Sequence, residues 1–178
     1  RKVCVMAKVS IIGTGTWGIA LGMVLAQNGH EVTAWSALPK EIEALRESYK
    51  CKNLPGVEIP RSIVFTADLQ EACTDKEMLV LSVPSVFTRG VAKQMNPFVK
   101  EGQLIVSVAK GIEEKTSMTM SQQIDPELPM ANVAVLSGPS HAEEVSRGIP
   151  TTVVVGAKDR QTAEHIQNLF MSSVFRVY

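Results

Sequence analysis

Short apolar runs alternate along the chain with longer segments whose apolar residues recur at helical spacing. This alternation of strand and helix predicts an α/β fold with a doubly wound, mainly parallel sheet and helices on both faces. The predicted strands cover residues 8–12, 31–35, 63–66, 78–83, 103–108, 133–137, 152–155 and 175–178. The predicted helices cover residues 17–27, 40–49, 140–147 and 160–169, with others near residue 69, from residue 84 and around 117–124.

Composition narrows the class of protein. The 178 residues are 45% hydrophobic, which supports one core and a single domain over residues 1–178. The 18 basic and 18 acidic side chains cancel, so we expect no nucleic-acid partner and no binding to anionic membranes. No apolar run reaches the roughly 18 residues that span a bilayer. Lys8 interrupts the only segment that could form a signal-peptide core.

The cysteines Cys4, Cys51 and Cys73 show neither C-x-x-C spacing nor a neighbouring histidine pair. Zinc sites and disulfide frameworks need such arrangements or an even set of cysteines. We therefore expect no metal and a reducing, cytoplasmic setting.

The first chemical signal is the glycine-rich turn GTGTWG at residues 13–18, between a predicted strand and a predicted helix. In G-x-G-x-x-G, Gly13 allows the tight turn, Gly15 lets the backbone approach a pyrophosphate, and Gly18 lets the helix pack against the strand. The helix N-terminus offers free N–H groups to the anion. The pattern predicts a Rossmann-like dinucleotide-binding fold.

The end of the second strand bears on which dinucleotide binds. An acidic residue there would bond the adenosine ribose and repel a 2′-phosphate. Residues 35–38 read WSAL and contain no carboxylate, whereas Ser36 and the nearby Lys40 would tolerate or attract a phosphate. This favours acceptance of NADPH beside NADH, unless Lys40 is an ordinary exposed helix lysine.

Three strand exits carry polar groups that could meet at the nicotinamide end of the cofactor: residues 83–85 (VPS, with Pro84), 108–111 (VAKG) and 137–140 (SGPS). Lys110 is the one cation among them and could polarise a substrate carbonyl. The alternative is that Lys110 is a loop lysine exposed to solvent. Ser140 and Glu143 have the spacing of a helix capping box. His141 is interpreted as a surface or packing residue, and His30 and His165 as structural.

These features and their order resemble the amino-terminal half of the bacterial-type NAD(P)-dependent glycerol-3-phosphate dehydrogenases. The matching segments are GTGTWGIAL (13–21), NGHEVTAW (28–35), VPS (83–85), VAKGIE (108–113), LSGPSHAEEVSRGIPTTVV (136–154) and FRVY (175–178). The AKGIE and SGPSHAEEV segments are the specific ones, because related dehydrogenases share the remaining architecture.

The resemblance implies reversible hydride transfer between NAD(P)H and dihydroxyacetone phosphate, giving sn-glycerol 3-phosphate for phospholipid synthesis. It implies that Lys110 contacts both cofactor and substrate, and that Gly138 and Ser140 line the substrate. Ala37 departs from the family, which often has a basic or imidazole side chain there. The expected cofactor contacts are Gly13, Gly15, Gly18, Ser36, Lys40 and Pro84 from the residue pattern, and Thr16, Trp17, Ala37, Lys110 and Ala142 from the resemblance.

In the family a helical carboxyl-terminal domain follows FRVY and carries the general-acid lysine. That domain is absent from this chain, so the resemblance implies that these residues bind the cofactor but are inactive alone. We expect an exposed apolar patch near the last strand, some self-association, and a homodimer as one option for the full-length protein. The alternatives are a related two-domain dehydrogenase, of ketopantoate or hydroxyacyl-CoA type, and a non-catalytic dinucleotide-sensing module.

Overall fold

A computed structural model describes residues 5–112, 114 and 116–178, so Cys4 and Glu113 lie outside the described residues. The strands are β1 (Lys8–Ile12), β2 (Glu31–Trp35), β3 (Val64–Thr66), β4 (Met78–Leu81), β5 (Leu104–Ser107), β6 (Asn132–Ser137), β7 (Thr151–Gly156) and β8 (Phe175–Val177). The helices are α1 (Thr16–Gln27), α2 (Pro39–Ser48), α3 (Leu69–Cys73), α4 (Ser85–Met95), α5 (Met120–Glu127), α6 (Ala142–Ser146) and α7 (Arg160–Phe170), with a 3₁₀ turn at Asn96–Phe98.

The strands form one eight-stranded sheet in the order β3-β2-β1-β4-β5-β6-β7-β8. All neighbours are parallel except β6 and β7, which are antiparallel. The chain winds outward from β1 to β3, then returns to place β4 beside β1. This confirms the predicted doubly wound sheet, and it creates a crevice at the carboxyl ends of β1 and β4, where the winding reverses.

Helices cover both faces of the sheet because successive strand residues point to opposite sides. Ile11 and Val80 belong to a core shared with α1, α6 and α7, whereas Ile12 and Leu81 belong to a second core shared with α3, α4 and α5. Both β4 and β5 are buried along their full length. Their unbroken apolar sequences therefore reflect strands that are covered on both faces.

The turn from β1 into α1 is packed against the end of β4. Gly13 has φ +121°, a conformation that favours glycine, and its N–H donates to the Trp35 carbonyl at 2.9 Å. A Cβ on Gly18 would meet the Gly13 carbonyl oxygen and lie 2.5 Å from Ser82 Oγ. These two glycines therefore let the first turn of α1 sit directly on the strand ends.

His30 is buried and ties the start of β2 to the far end of the chain. Its Nδ1 accepts from the Ala7 N–H at 3.1 Å, and its Nε2 lies 3.1 Å from the Leu169 carbonyl oxygen, to which it donates. His165 lies on α7 with Nε2 3.5 Å from a Glu77 carboxylate oxygen. Both contacts agree with the structural interpretation of these histidines.

Some element boundaries differ from the sequence prediction. α5 begins at Met120 rather than near residue 117, because Thr119 and Gln122 form a capping box there. The apolar run after β4 continues to Val83, but hydrogen-bonded strand pairing ends at Leu81. Near β8, the apolar side chains of Val154 and Tyr178 are exposed. Within the described part of the chain, no helix is both long and apolar enough to cross a membrane.

We expect Gly18→Ala to lower the free energy of unfolding by about 1–3 kcal/mol, because the added methyl group must displace the turn or Ser82. Gly90→Ala is the matched control: Gly90 lies inside α4, with nothing within 4 Å of an added Cβ. That change should raise the free energy of unfolding by about 0.5–1 kcal/mol. Denaturant titration followed by circular dichroism measures both. No loss of stability in Gly18→Ala would contradict the close packing.

Candidate functional site

Two adjoining cavities open at the crevice beyond β1 and β4. The first cavity, of about 580 Å³, is lined by Gly13, Thr14, Gly15, Trp35, Ser36, Ala37, Leu38, Glu41, Ser82, Val83, Pro84, Val86, Phe87, Gly90, Val91 and Gln94. The second cavity, of about 350 Å³, is lined by Gly15, Thr16, Trp17, Ser82, Val83, Pro84, Ser85, Val108, Ala109, Lys110, Ser140, His141 and Ala142. The cavities share the glycine turn and residues 82–84, so together they form one extended groove.

The N-terminus of α1 lies between the two cavities. Its N-cap is Gly15, no side chain caps the helix, and no acidic residue occupies the first turn. A Cβ on Gly15 would have no neighbour within 4 Å, so the space in front of the turn is open. Uncapped N–H groups and the helix dipole make this an anion-binding geometry.

Thr14 provides an independent sign of a missing partner. Its side chain is only 5% exposed, and within the described residues its hydroxyl has no hydrogen-bond partner. Buried hydroxyls are usually hydrogen-bonded, so an orphan in the lining of a cavity suggests a ligand or a rearrangement on binding.

The first cavity has a polar corner opposite an apolar wall. Ser36 Oγ donates to Glu41 Oε2 at 2.7 Å and accepts from the Leu38 N–H at 3.2 Å. Val86 and Phe87 at the start of α4 are exposed on the other side. A flat apolar ring with an attached polar sugar matches these two walls.

The second cavity is organised around Lys110. Its Nζ donates to the Ser140 carbonyl at 3.1 Å and lies 6.0 Å from the centroid of the Trp17 ring. α1 packs against α6, which brings Trp17 close to the loop that contains Ser140. The cavity thus places one ammonium group between the glycine turn and the β6–α6 loop.

The groove suits a dinucleotide by shape and by donor set. The anion-binding turn lies at its centre, an apolar wall with a polar corner lies at one end, and a cation lies at the other. Within the described residues, no cluster of three or more histidines, cysteines or carboxylates could hold a metal ion. Cys51 and Cys73 are free thiols, and burial raises the pKa of Cys73 to about 12, although the Lys76 charge opposes the shift.

Comparison with known proteins supports this interpretation. Residues 8–163 match the profile of the NAD-dependent glycerol-3-phosphate dehydrogenase N-terminus. The chain belongs to this family. It is 58% identical over 174 residues to glycerol-3-phosphate dehydrogenase of Agathobacter rectalis, a match covering 97% of this chain and 52% of that protein. It is 49% identical over 176 residues to the Fusobacterium nucleatum enzyme, covering 97% and 52%.

A solved glycerol-3-phosphate dehydrogenase structure from Coxiella burnetii superposes on the chain with a TM-score of 0.90 at 27% identity, covering 97% of this chain and 53% of that one. The chain spans about half the length of the curated relatives it matches. The fold of the glycerol-3-phosphate dehydrogenase amino-terminal half is therefore present over nearly all 178 residues.

The structure brings most of the predicted contacts of this dehydrogenase family into the groove. The predicted residues that line it are Gly13, Gly15, Thr16, Trp17, Ser36, Ala37, Pro84, Lys110, Ser140 and Ala142. Gly18 is buried behind the turn instead, where it packs on Ser82. Lys40 is exposed on α2 and lines neither cavity.

Gly138 also lines neither cavity. Close packing explains why a glycine occupies this position. A Cβ there would lie 3.0 Å from the Thr152 carbonyl oxygen and from Val153 Cα. The glycine therefore allows β7 to approach the end of β6. A contact between Gly138 and the substrate stays a prediction.

The predicted capping box of Ser140 and Glu143 is wrong. α6 begins at Ala142, its N-cap is His141, and no side chain caps it. Ser140 lies one residue too early for that role, and its hydroxyl donates to the Gly138 carbonyl at 3.3 Å. The backbone carbonyl of Ser140 is what holds Lys110.

Several residues of the groove are not predicted from the sequence, among them Ser82, Glu41 and His141. Ser82 follows an apolar run and carries no motif of its own, and Glu41 lies in the helix beyond the end of the second strand. His141 belongs to no Asp/Ser arrangement typical of acid–base catalysis, so its pattern indicates only a surface or packing residue. Residues 35–38 contain no carboxylate, but α2 returns Glu41 to Ser36 and so brings one to the end of β2.

We expect Ser82→Ala to lower the free energy of unfolding by about 1 kcal/mol, because Ser82 Oγ donates to the Gly13 carbonyl at 2.9 Å. Ser85→Ala is the control, since Ser85 lines the same cavity, its hydroxyl bonds to none of the described residues, and its loss should change stability by less than about 0.5 kcal/mol. Denaturant unfolding measures both. Equal stabilities for the two variants would show that the hydroxyl does not brace the turn.

Proposed function

We propose that the protein to which this chain belongs is an sn-glycerol-3-phosphate dehydrogenase, an oxidoreductase. It reversibly reduces dihydroxyacetone phosphate to sn-glycerol 3-phosphate for phospholipid synthesis. NAD(P)H supplies the hydride when it is bound. In this proposal residues 1–178 form one dinucleotide-binding domain in a cytoplasmic enzyme, with a homodimer as its assembly. Turnover requires the further length that its relatives possess.

One observation carries the proposal: Lys110 lies in the same groove as the uncapped N-terminus of α1. Relatives that share this chain's sequence at 58% and 49% identity bear the name of this enzyme. The glycine turn alone would support any dinucleotide-binding protein. The lysine at the second cavity adds a group that can act on a carbonyl substrate.

The residues divide the groove between cofactor and substrate. We assign Gly13, Gly15, Thr16, Trp17 and the exit at Pro84 to the pyrophosphate and nicotinamide half of the cofactor, with Gly18 as the packing residue behind them. Ser36 and Ala37 face its adenosine half. Ala142 borders the cofactor, and Gly138 and Ser140 belong to the loop that receives the substrate.

Lys110 is proposed to polarise the substrate carbonyl. An ammonium group has three N–H donors, and the Ser140 carbonyl accepts one of them. That bond holds the chain of methylene groups in place and leaves two donors for oxygen atoms of the substrate. A fixed positive charge beside the carbonyl favours the negative charge that develops on its oxygen during reduction.

Lys110→Met tests this role in the longest reading frame that contains the chain. We expect kcat/KM for dihydroxyacetone phosphate to fall by about 10²–10³, because the oxygen loses its cationic partner. Lys100→Met is the matched control, since Lys100 is exposed before the start of β5, lines neither cavity of the groove, and should leave the rate unchanged. NAD(P)H oxidation at 340 nm on substrate addition is the readout.

The outcomes separate the alternatives. Turnover of dihydroxyacetone phosphate that depends on Lys110 supports the proposal. If the protein binds a dinucleotide but turns over only ketopantoate or a 3-ketoacyl-CoA, it is one of the related two-domain dehydrogenases and dihydroxyacetone phosphate is not its substrate. If the protein binds a dinucleotide but turns over none of these substrates, the remaining interpretation is a non-catalytic dinucleotide-sensing module. Rapid turnover by residues 1–178 alone would contradict the requirement for a longer chain.

A further inference from the structure

We infer that Glu41 is a specificity-determining residue that makes this site favour NADH over NADPH. The inference rests on the proposed function, because it concerns the adenosine half of the same dinucleotide. It assigns a preference for NADH to a site whose strand end, taken alone, favoured acceptance of NADPH beside NADH. The carboxylate comes from the first turn of α2 and not from β2, so the end of β2 does not reveal it.

Glu41 lines the first cavity together with Ser36 and Ala37, on the side of the glycine turn away from Lys110. In doubly wound folds the adenosine ribose lies beyond the end of the second strand, and an acidic side chain bonds its 2′-hydroxyl. Glu41 brings a carboxylate to that position through its 2.7 Å hydrogen bond with Ser36.

The hydrogen bonds between Ser36, Leu38 and Glu41 determine what the corner can still bind. Ser36 has one hydroxyl proton, which it donates to Glu41, and its oxygen already accepts from the Leu38 N–H. Ser36 can therefore accept one more hydrogen bond but cannot donate one. Glu41 Oε1 has no recorded partner among the described residues, and it too can only accept. The two side chains of the corner thus present acceptors, which match ribose hydroxyl donors and not the oxygens of a phosphate.

Glu41 also sets the charge of the first cavity. Glu41 is the only charged side chain among the described residues that line the first cavity. Lys40, the cation that sequence reasoning offered to a 2′-phosphate, is exposed and lies outside the lining. A 2′-phosphate would add a second negative group beside the carboxylate, and no described residue of the lining carries a positive charge to offset it. Like charges brought together at a binding site suppress the wrong partner.

The α2 N-terminus does not reverse this conclusion. The positive end of a helix attracts anions, but Glu41 itself occupies the first turn of α2. Pro39 is the first residue of that helix and has no N–H to offer. The positive end of α2 therefore already faces a carboxylate of its own helix.

The test is a titration of the protein with NADH and with NADPH, followed by quenching of tryptophan fluorescence. We expect NADH to bind the unchanged protein about tenfold or more tightly than NADPH. Glu41→Gln keeps an oxygen that can accept from Ser36 and removes the charge. It should reduce the NADH/NADPH affinity ratio by about tenfold, mainly because NADPH binds more tightly.

Glu43→Gln is the matched control, because Glu43 lies on the same helix but is exposed and outside both cavities. It should leave the affinity ratio unchanged. Equal or tighter binding of NADPH to the unchanged protein would overturn the inference. An NADH/NADPH affinity ratio that Glu41→Gln does not alter would also overturn it. In both cases the protein would still bind a dinucleotide, so the proposed function would stand. Binding of neither dinucleotide would overturn the proposed function and the inference with it.

Discussion

The close approach of α1 to the ends of β1 and β4 is the constraint on which the groove depends. Gly18 removes the side chain that would hold the helix away, and Ser82 bonds the turn carbonyl at Gly13. This packing aims the uncapped first turn of α1 into the crevice between the two cavities. A longer side chain at residue 18 would tilt the helix, and the N–H groups would no longer point at one place. The anion-binding geometry is therefore a consequence of backbone packing.

The two ends of the groove use different physics. The first cavity combines an apolar wall with a corner where Ser36 donates to the Glu41 carboxylate, so its side chains there offer acceptors and one negative charge. The second cavity contains an ammonium group held by a backbone carbonyl, which suits an oxygen that gains negative charge. Both ends are borne by loops and first helical turns that follow buried strands. A rigid sheet with variable exits explains how related folds accept different ligands.

Much of the fold was predictable because burial requires apolar residues at regular intervals in each strand and helix. β4 and β5 are apolar throughout since both faces are covered, and the glycine turn identified the start of α1. Cap positions were harder to predict. Ser140 and Glu143 have the spacing of a capping box, but α6 begins one residue later, whereas Thr119 and Gln122 do form one. Local spacing shows which residues could cap, and the path of the preceding loop decides which one does.

The sequence by itself determined the strand and helix order, the glycine turn and the family. These depend on contacts between residues that are near in the chain, or on patterns that burial imposes directly. Only the tertiary structure decided which side chains share the groove. It placed Glu41 against Ser36, moved Lys40 out of the lining, and gave Gly138 a packing role against β7. The reason is geometric: a helix carries neighbouring residues in different directions, so residue 40 faces solvent while residue 41 faces the first cavity.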